Sequence, residues 1–353
     1  LGFTRTMNQP YRTSDNRSLS HQMLTSIVAN IFNYAVSRGL DMEQINAATG
    51  LARTDLINPE TRLPEVLAPT IWKLLGEAYP GQSLALHAAS AAPLTSMGQL
   101  AQVVQYAEDL RSALQELVKY CSVLSDQLNV ELIESDSEAI LQISHPIDQI
   151  DGGYGAEAGL GVMTRLVRET LVAEDPFVRA ESRHQPFVSL QAYADFFKVP
   201  IRFQQSFNRL VFRHDALDLP LPKRDTYLLE YNQRNLDLLQ DHWRLHGNSS
   251  QISQLYDAIA RNAEVSEYSA EALAQQLNMG LRALQRQARD RGFTIGQLLE
   301  NAREAKARKL LTDPKLTIEA ISTQLGYSDD RSFRRAFKRW TGHTPAEFRQ
   351  RVI

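Results

Sequence analysis

Residues 331–340 read RSFRRAFKRW, a stretch in which five of ten side chains are cationic and none is acidic. Arginine at this density is suited to one kind of chemistry. Its planar fork donates two parallel hydrogen bonds, either to a phosphate or to O6 and N7 of guanine. An earlier stretch, LRALQRQARD at 281–290, repeats that chemistry in Arg282, Arg286 and Arg289, and adds Gln285, whose amide can pair with adenine. At about 100° per residue, Phe333, Ala336, Phe337 and Trp340 share one side of a helix. Arg331, Arg335, Lys338 and Arg339 share the opposite side, with Ser332 and Arg334 at its margins. In the first stretch Leu281, Leu284 and Ala288 face one way and the arginines another. A solvated face is the ordinary explanation of one such helix, so the surrounding elements have to decide.

Each basic helix follows a short amphipathic one. LTIEAISTQLGY places Ile318, Ile321 and Leu325 on one side and turns at Gly326. Ala272–Leu277 (ALAQQL) aligns with Ala320–Leu325 (AISTQL) at an offset of 48, and after a turn one residue shorter Leu284 matches Phe333 and Arg286 matches Arg335. Short helix, turn and basic helix is the helix-turn-helix pattern. Its repetition favours DNA binding over solvation. Ser328 is expected to cap the second basic helix, with Asp329 and Asp330 in its first turn and Gly342 as its stop. Between the repeats, TIGQLLENAREAKARKLLTD reads as one helix with Ile295, Leu298, Leu299, Ala302 and Leu310 on its buried side. Over 294–311 it spans roughly 27 Å, which suits two recognition helices about one DNA turn, near 34 Å, apart.

Over about residues 251–353 the chain resembles the AraC/XylS transcription regulators. The resemblance lies in LAQQLNMGLRALQRQARDRG, AREAKARKLL, IEAISTQLGYSDDRSFRRAFKRW and the closing GHTPAEFR. It implies base-edge contacts from Arg282, Gln285 and Arg286 in the first unit and from Asp330, Arg331, Ser332 and Arg335 in the second, with Arg289 and Lys338 on the same basic faces. Asp330 either accepts from a cytosine amine or caps the helix and orients Arg331. Promoter double-stranded DNA and RNA polymerase are the partners implied. Gly280 stands where a capping Ser or Thr is usual, Ser322 where a small Ala is usual, and Asp330-Arg331 is an unusual pair that bears on sequence preference rather than on fold.

A chain of 353 residues exceeds one ordinary domain. Residues 251–353 hold 17 Lys and Arg against 12 Asp and Glu, a net +5, so the overall −3 conceals a remainder of −8. Phosphate neutralisation assigns DNA to the basic part. Cys121 is the single cysteine, which excludes an intrachain disulfide and a zinc-cysteine cluster. It also argues against DNA-repair methyltransferases, which carry a related helix-turn-helix and use several cysteines. With no run of about 20 apolar residues and no signal-type h-region, a soluble cytoplasmic chain with no membrane association is expected. LGFTRT before Met7 reads as foreign to the domain, and little order is expected up to Ser20.

Residues 20–245 read as an α+β domain, 246–250 as a linker, and 251–353 as an all-α domain of two helix-turn-helix units on a linker helix. Helices are expected at 21–41, 41–51, 69–79, 83–90, 97–127 and 155–173, and at about 224–246. NVELIES and AILQISH suggest a hairpin, and FVSLQ, IRFQQ and RLVFR further strands. Residues 25–225, above all 194–225, resemble the arabinose-binding-like domain of ornithine-utilisation and virulence-type AraC relatives. That implies sensing of a small-molecule effector or homodimerisation, and leaves the ligand residues unassigned. His242 and His246 at i,i+4 lack a third ligand, and GGYGAEAGLG (152–161) lacks the Lys-Ser/Thr of a P-loop, so close packing or a turn explains its glycines. Cys121 reads as a small buried residue and His145-Pro146 as a strand end. No catalytic residue, cofactor or metal site is expected. The competing readings are an enzyme tethered to DNA and an architectural DNA-binding protein that senses nothing.

Overall fold

The computed structural model describes residues 4–7, 21–172, 175–246 and 251–352. Two compact units emerge, one built from residues 4–7, 21–40 and 56–246, the other from residues 41–55 and 251–352. Among the described residues no helix is long and apolar enough to cross a membrane.

The first unit is α+β. Strands β1 (Thr4–Met7) and β2 (Gln22–Leu24) precede helix α1 (Thr25–Ser37), while α2 (Met42–Thr49) belongs to the second unit. Then come β3 (Arg62–Pro64), α3 (Leu67–Ala78), α4 (Leu84–Ala91), α5 (Gln99–Tyr106) and α6 (Leu110–Leu124). Strands β4 (Asn129–Glu134) and β5 (Glu138–Ser144) form the expected hairpin, in which Val130 faces Ile143 and Leu132 faces Leu141. After α7 (Tyr154–Leu171) follow β6 (Phe177–Glu181), α8 (Leu190–Phe197), β7 (Ile201–Arg202), β8 (Asn208–Arg213) and α9 (Thr226–His246). The main sheet runs β1-β4-β5-β8-β6-β7, with β6 and β7 parallel and the other pairs antiparallel; β2 and β3 pair apart. Period-2 alternation sends Leu132, Leu141, Leu210 and Phe212 into one core with Leu114, Leu117 and Cys121 of α6 and Leu160 and Val167 of α7.

Several expectations change. Gln22–Leu24 is a strand rather than the start of a helix, because tertiary bonds claim its backbone: Gln22 N donates to Asp126 Oδ2 at 2.7 Å, and Arg62 Nη2 donates to Gln22 O at 2.7 Å. Residues 97–127 form two helices, since Asp109 turns extended and caps α6 by accepting from Ser112 N at 2.8 Å. FVSLQ is no strand. Its alternation yields to the i,i+4 pair Tyr193 and Phe197, both buried, which makes α8 helical from Leu190. FVRAE, unassigned in the sequence reading, is β6, and Thr4–Met7 pairs with Glu131–Glu134 although little order was expected there. Within 152–161, Gly152 and Gly153 make a turn at positive φ, while Gly161 serves packing: a Cβ on Gly161 would lie 2.7 Å from that of Ala89, so the residue lets α7 approach α4. Residues 247–250 of the expected linker, and the side chains of His242 and His246, lie outside the described residues.

The second unit is all-helical: α2, α10 (Gln251–Glu264), α11 (Ala270–Gln276), α12 (Leu281–Asp290), α13 (Ile295–Leu311), α14 (Ile318–Gln324), α15 (Asp330–Thr341) and α16 (Pro345–Val352). Thr294 caps α13 by accepting from Gln297 N, so the helix begins at Ile295, one residue inside the expected 294–311.

Candidate nucleic-acid interface

Both helix-turn-helix units are built by the same local rules. Ser269 caps α11 by accepting from Ala272 N at 3.1 Å, and Leu273 and Ala274 turn inward. Asn278, at φ 53°, makes the turn, and Gly280 opens α12 with extended backbone and no side-chain cap. Helix α12 buries Leu284 and Ala288, leaving Arg282, Gln285, Arg286 and Arg289 exposed. In the second unit Thr317 caps α14 by accepting from Ala320 N at 3.1 Å, and Gly326 makes the turn at φ 72°. The cap of α15 is Asp329, not Ser328. Its Oδ1 accepts from Ser332 N at 2.7 Å and its Oδ2 from Ser332 Oγ at 2.8 Å, bonds that hold its carboxyl below the ordinary range.

Asp330 therefore neither caps the helix nor orients Arg331. Its Oδ2 accepts from Arg334 Nε at 3.1 Å, one helical turn on. Ser332 Oγ, committed to Asp329, also lies 3.4 Å from Arg335 Nη2. Arg331, Arg335 and Lys338 are exposed on the side of α15 opposite Phe333, Ala336 and Phe337. Arg282, Arg286, Arg289, Arg331, Arg335 and Lys338 form no ion pair among the described residues, whereas Arg339 is engaged by Glu300 of α13 at 2.7 Å.

What holds the two units in register is α13. Ile295, Leu298 and Leu299 are buried at its start; Ala307 and Leu311 at its end enter a core with Ile321, Leu325, Phe333 and Phe337. Leu310 lies at the edge of that core, so the buried stripe runs through Ala307 and Leu311 instead. The Arg303 guanidinium lies over Tyr268 at 4.4 Å and over Tyr327 at 4.9 Å, joining the segment before α11 to the turn of the second unit. Ser266 Oγ donates to Gln324 O at 2.9 Å, and the Ser266 carbonyl sits where a Cβ on Gly326 would be. Helix α2 completes this unit. Asn301 Nδ2 donates to Ala48 O at 2.7 Å, Tyr256 Oη to Thr49 O at 2.9 Å, and Arg291 Nη2 to both oxygens of Asp55 at 2.9 and 2.7 Å. Sequence periodicity carries no sign of these long-range contacts.

Two helix-turn-helix units on a shared helix, each with a basic outward face, define a DNA-binding protein of the double helix-turn-helix class. Residues 39–221 match the N-terminal arabinose-binding domain of AraC transcription regulators, and residues 273–351 a helix-turn-helix domain. The chain belongs to the AraC family of transcription regulators and is a DNA-binding regulator. It is 25% identical to the HTH-type transcriptional regulator Rv1395 of Mycobacterium tuberculosis over 93% of this chain and 95% of that one. It is 26% identical to the ornithine utilization regulator of Pseudomonas aeruginosa over 73% and 75% of the two chains. The crystal structure of the transcriptional regulator CdpR from P. aeruginosa aligns over 92% of this chain and 98% of that one, at 22% identity and a TM-score of 0.41.

The first unit holds a cavity of about 420 Å³, within the size range of small-molecule sites, about 300–1,000 Å³. Its walls are mainly apolar, but Ser125, His145, Asp148, Asp151 and Asn208 also line it. His145, expected at a strand end, follows β5 directly and also faces the cavity. Its Nδ1 accepts from Ile147 N at 3.2 Å, so Nε2 carries the proton and donates to Ser125 Oγ at 2.7 Å; Ser125 in turn donates to Glu65. A hydroxyl that gives its proton to a carboxylate and accepts one from histidine is not activated as a nucleophile. Among the described residues no group of three or more His, Cys, Asp or Glu is placed to hold a metal ion.

Proposed function

We propose that this regulator reads its promoter with both helix-turn-helix units and responds to a small molecule held in the first unit. Base edges are contacted by Arg282, Gln285 and Arg286 of α12 and by Arg331, Ser332 and Arg335 of α15, while Arg289 and Lys338 neutralise phosphates. Asp330 can accept from a cytosine amine only by releasing Arg334. The observation that carries this reading is the pair of exposed cationic faces on which Arg282, Arg286, Arg289, Arg331, Arg335 and Lys338 form no ion pair among the described residues. Cations without carboxylate partners are available to displace counterions from DNA. At the promoter the bound protein acts through RNA polymerase.

The test starts from a DNA site selected from random sequence with the full chain. Arg286→Ala and Arg335→Ala should each weaken binding to that site by about 1–3 kcal/mol and relax preference at one position. Equal weakening on every sequence, with the salt slope reduced by about one unit, would assign both residues to phosphate and overturn the base-reading roles.

A further inference from the structure

The chemistry of the cavity narrows what it can hold; the argument rests on the reading of the first unit as a small-molecule sensor. Ile27, Trp72, Leu117, Val130 and Met163 are among its walls. Asp148 Oδ2 accepts from Asn208 Nδ2 at 3.3 Å, and Asp151 accepts from the backbone N–H groups of Gly153 and Gly155 at 2.9 Å each. No Lys or Arg is among the described residues lining the cavity. Burial, joined by the neighbouring Asp148, pushes the Asp151 carboxyl up to about 8, and burial alone pushes Asp148 up to about 6 against the pull of His145 and Arg183. Two buried carboxyl groups thus face an apolar space with no lysine or arginine lining it. Independently, the Tyr34 hydroxyl is buried without a hydrogen-bond partner in the wall, beside Trp72 at 6.2 Å between ring centres.

We propose that this cavity binds an apolar molecule carrying an ammonium group, which donates to Asp148 and Asp151 while the hydrocarbon body lies along the aliphatic and aromatic walls. Each carboxylate oxygen of Asp151 keeps a second lone pair beyond its backbone bond, so an ammonium adds partners without displacing any. A sugar would leave hydroxyls against aliphatic walls, at the cost of their hydration. A fatty acid would bring a third carboxyl to a wall that already holds two and that no lysine or arginine lines.

Octylamine, octanol and octanoate, which share one chain length, separate these possibilities in thermal unfolding of the full chain. Octylamine should raise Tm saturably by several degrees, because a ligand that binds the native state stabilises it. Octanoate and octanol should raise it far less. Asp148→Asn should weaken octylamine binding at least tenfold. Gly159→Leu supplies a control whose fold is checked by its own unliganded Tm: a Cβ at Gly159 meets nothing within 4 Å, and the residue lines the cavity from within α7. The added side chain should fill the space and abolish the response while leaving the unliganded Tm unchanged or higher. An unchanged Tm with octylamine, an equal response to octanoate or octanol, or a response that persists in Gly159→Leu would overturn the proposal. Binding of octylamine with no effect on promoter affinity would support the ligand class while removing the sensor reading. A promoter response to some other molecule, with none to octylamine, would do the reverse.

Discussion

Individual side chains divide by whether their neighbours are near in sequence. The cationic faces were legible because a helix brings positions 282, 286 and 289, or 331, 335 and 338, together from within a dozen residues. The cavity cluster was not, since Ser125, the His145–Asp151 connection and Asn208 come from three separate segments joined only by the fold. Glu157 is a further case that sequence does not betray. Buried in α7, it accepts from Tyr193 Oη at 2.6 Å, and burial pushes its carboxyl up to about 7 despite that bond. Its folded value lies above its unfolded one, so its contribution to stability is complete below about pH 4.5 and is lost as pH rises toward 7. Glu157→Gln keeps an acceptor for Tyr193 and removes the titration. Relative to the parent, this variant should gain on the order of 3 kcal/mol between pH 4.5 and 7.5, read from urea unfolding across that range. A difference between the two proteins that stays flat with pH would show that Glu157 is ionised throughout.

Helices with a strong 3.6-residue stripe were placed to within a residue or two, as α12, α13 and α15 show. Elements decided by distant bonds were not. Gln22–Leu24 continues the apolar run of α1 in sequence yet pairs with Arg62–Pro64. Phe187 to Leu190 alternates like a strand, but Tyr193 and Phe197 need a helix to reach the core. The cap of α15 slipped by one residue because Ser328 and Asp329 are both good N-caps, and only Asp329 reaches Ser332 N. The glycines of the second half make a sharper test of element geometry. Gly326 and Gly342 have similar φ of 72° and 76°, but a Cβ on Gly326 would run into the Ser266 carbonyl, whereas one on Gly342 meets nothing within 4 Å. Gly342→Ala should cost about 1 kcal/mol, the usual penalty of the left-handed region. Gly326→Ala should cost about 2–3 kcal/mol, as strain and collision add. Equal losses in thermal unfolding would mean that the Ser266 segment does not hold the two helix-turn-helix units together.

For the whole molecule, the charge split separated a DNA-binding part from the rest, and the family match agrees with it. What composition could not reveal is that residues 41–55 pack with the DNA-binding helices, through Asp55 on Arg291 and Ala48 on Asn301. Measurements of DNA binding therefore belong on the full chain, since residues 251–353 alone lose those partners. The central claim is that both helix-turn-helix units read one duplex. Helix α13, at 17 residues, is roughly 25 Å long, and the Arg303, Ser266 and Gly326 contacts tie the two helix-turn-helix units to each other. Recognition helices held this way enter major grooves about one turn apart on one side of DNA. The direct measurement is a gel shift of the full chain on its selected site, with about 5 base pairs, half a turn, inserted between the two sub-sites. Affinity should fall to that of a single unit, because a stiff helix cannot follow a sub-site rotated to the far side of the duplex. Undiminished affinity would contradict the account and leave one unit, the α12 half that Gly280 opens without a side-chain cap, outside the reading of sequence.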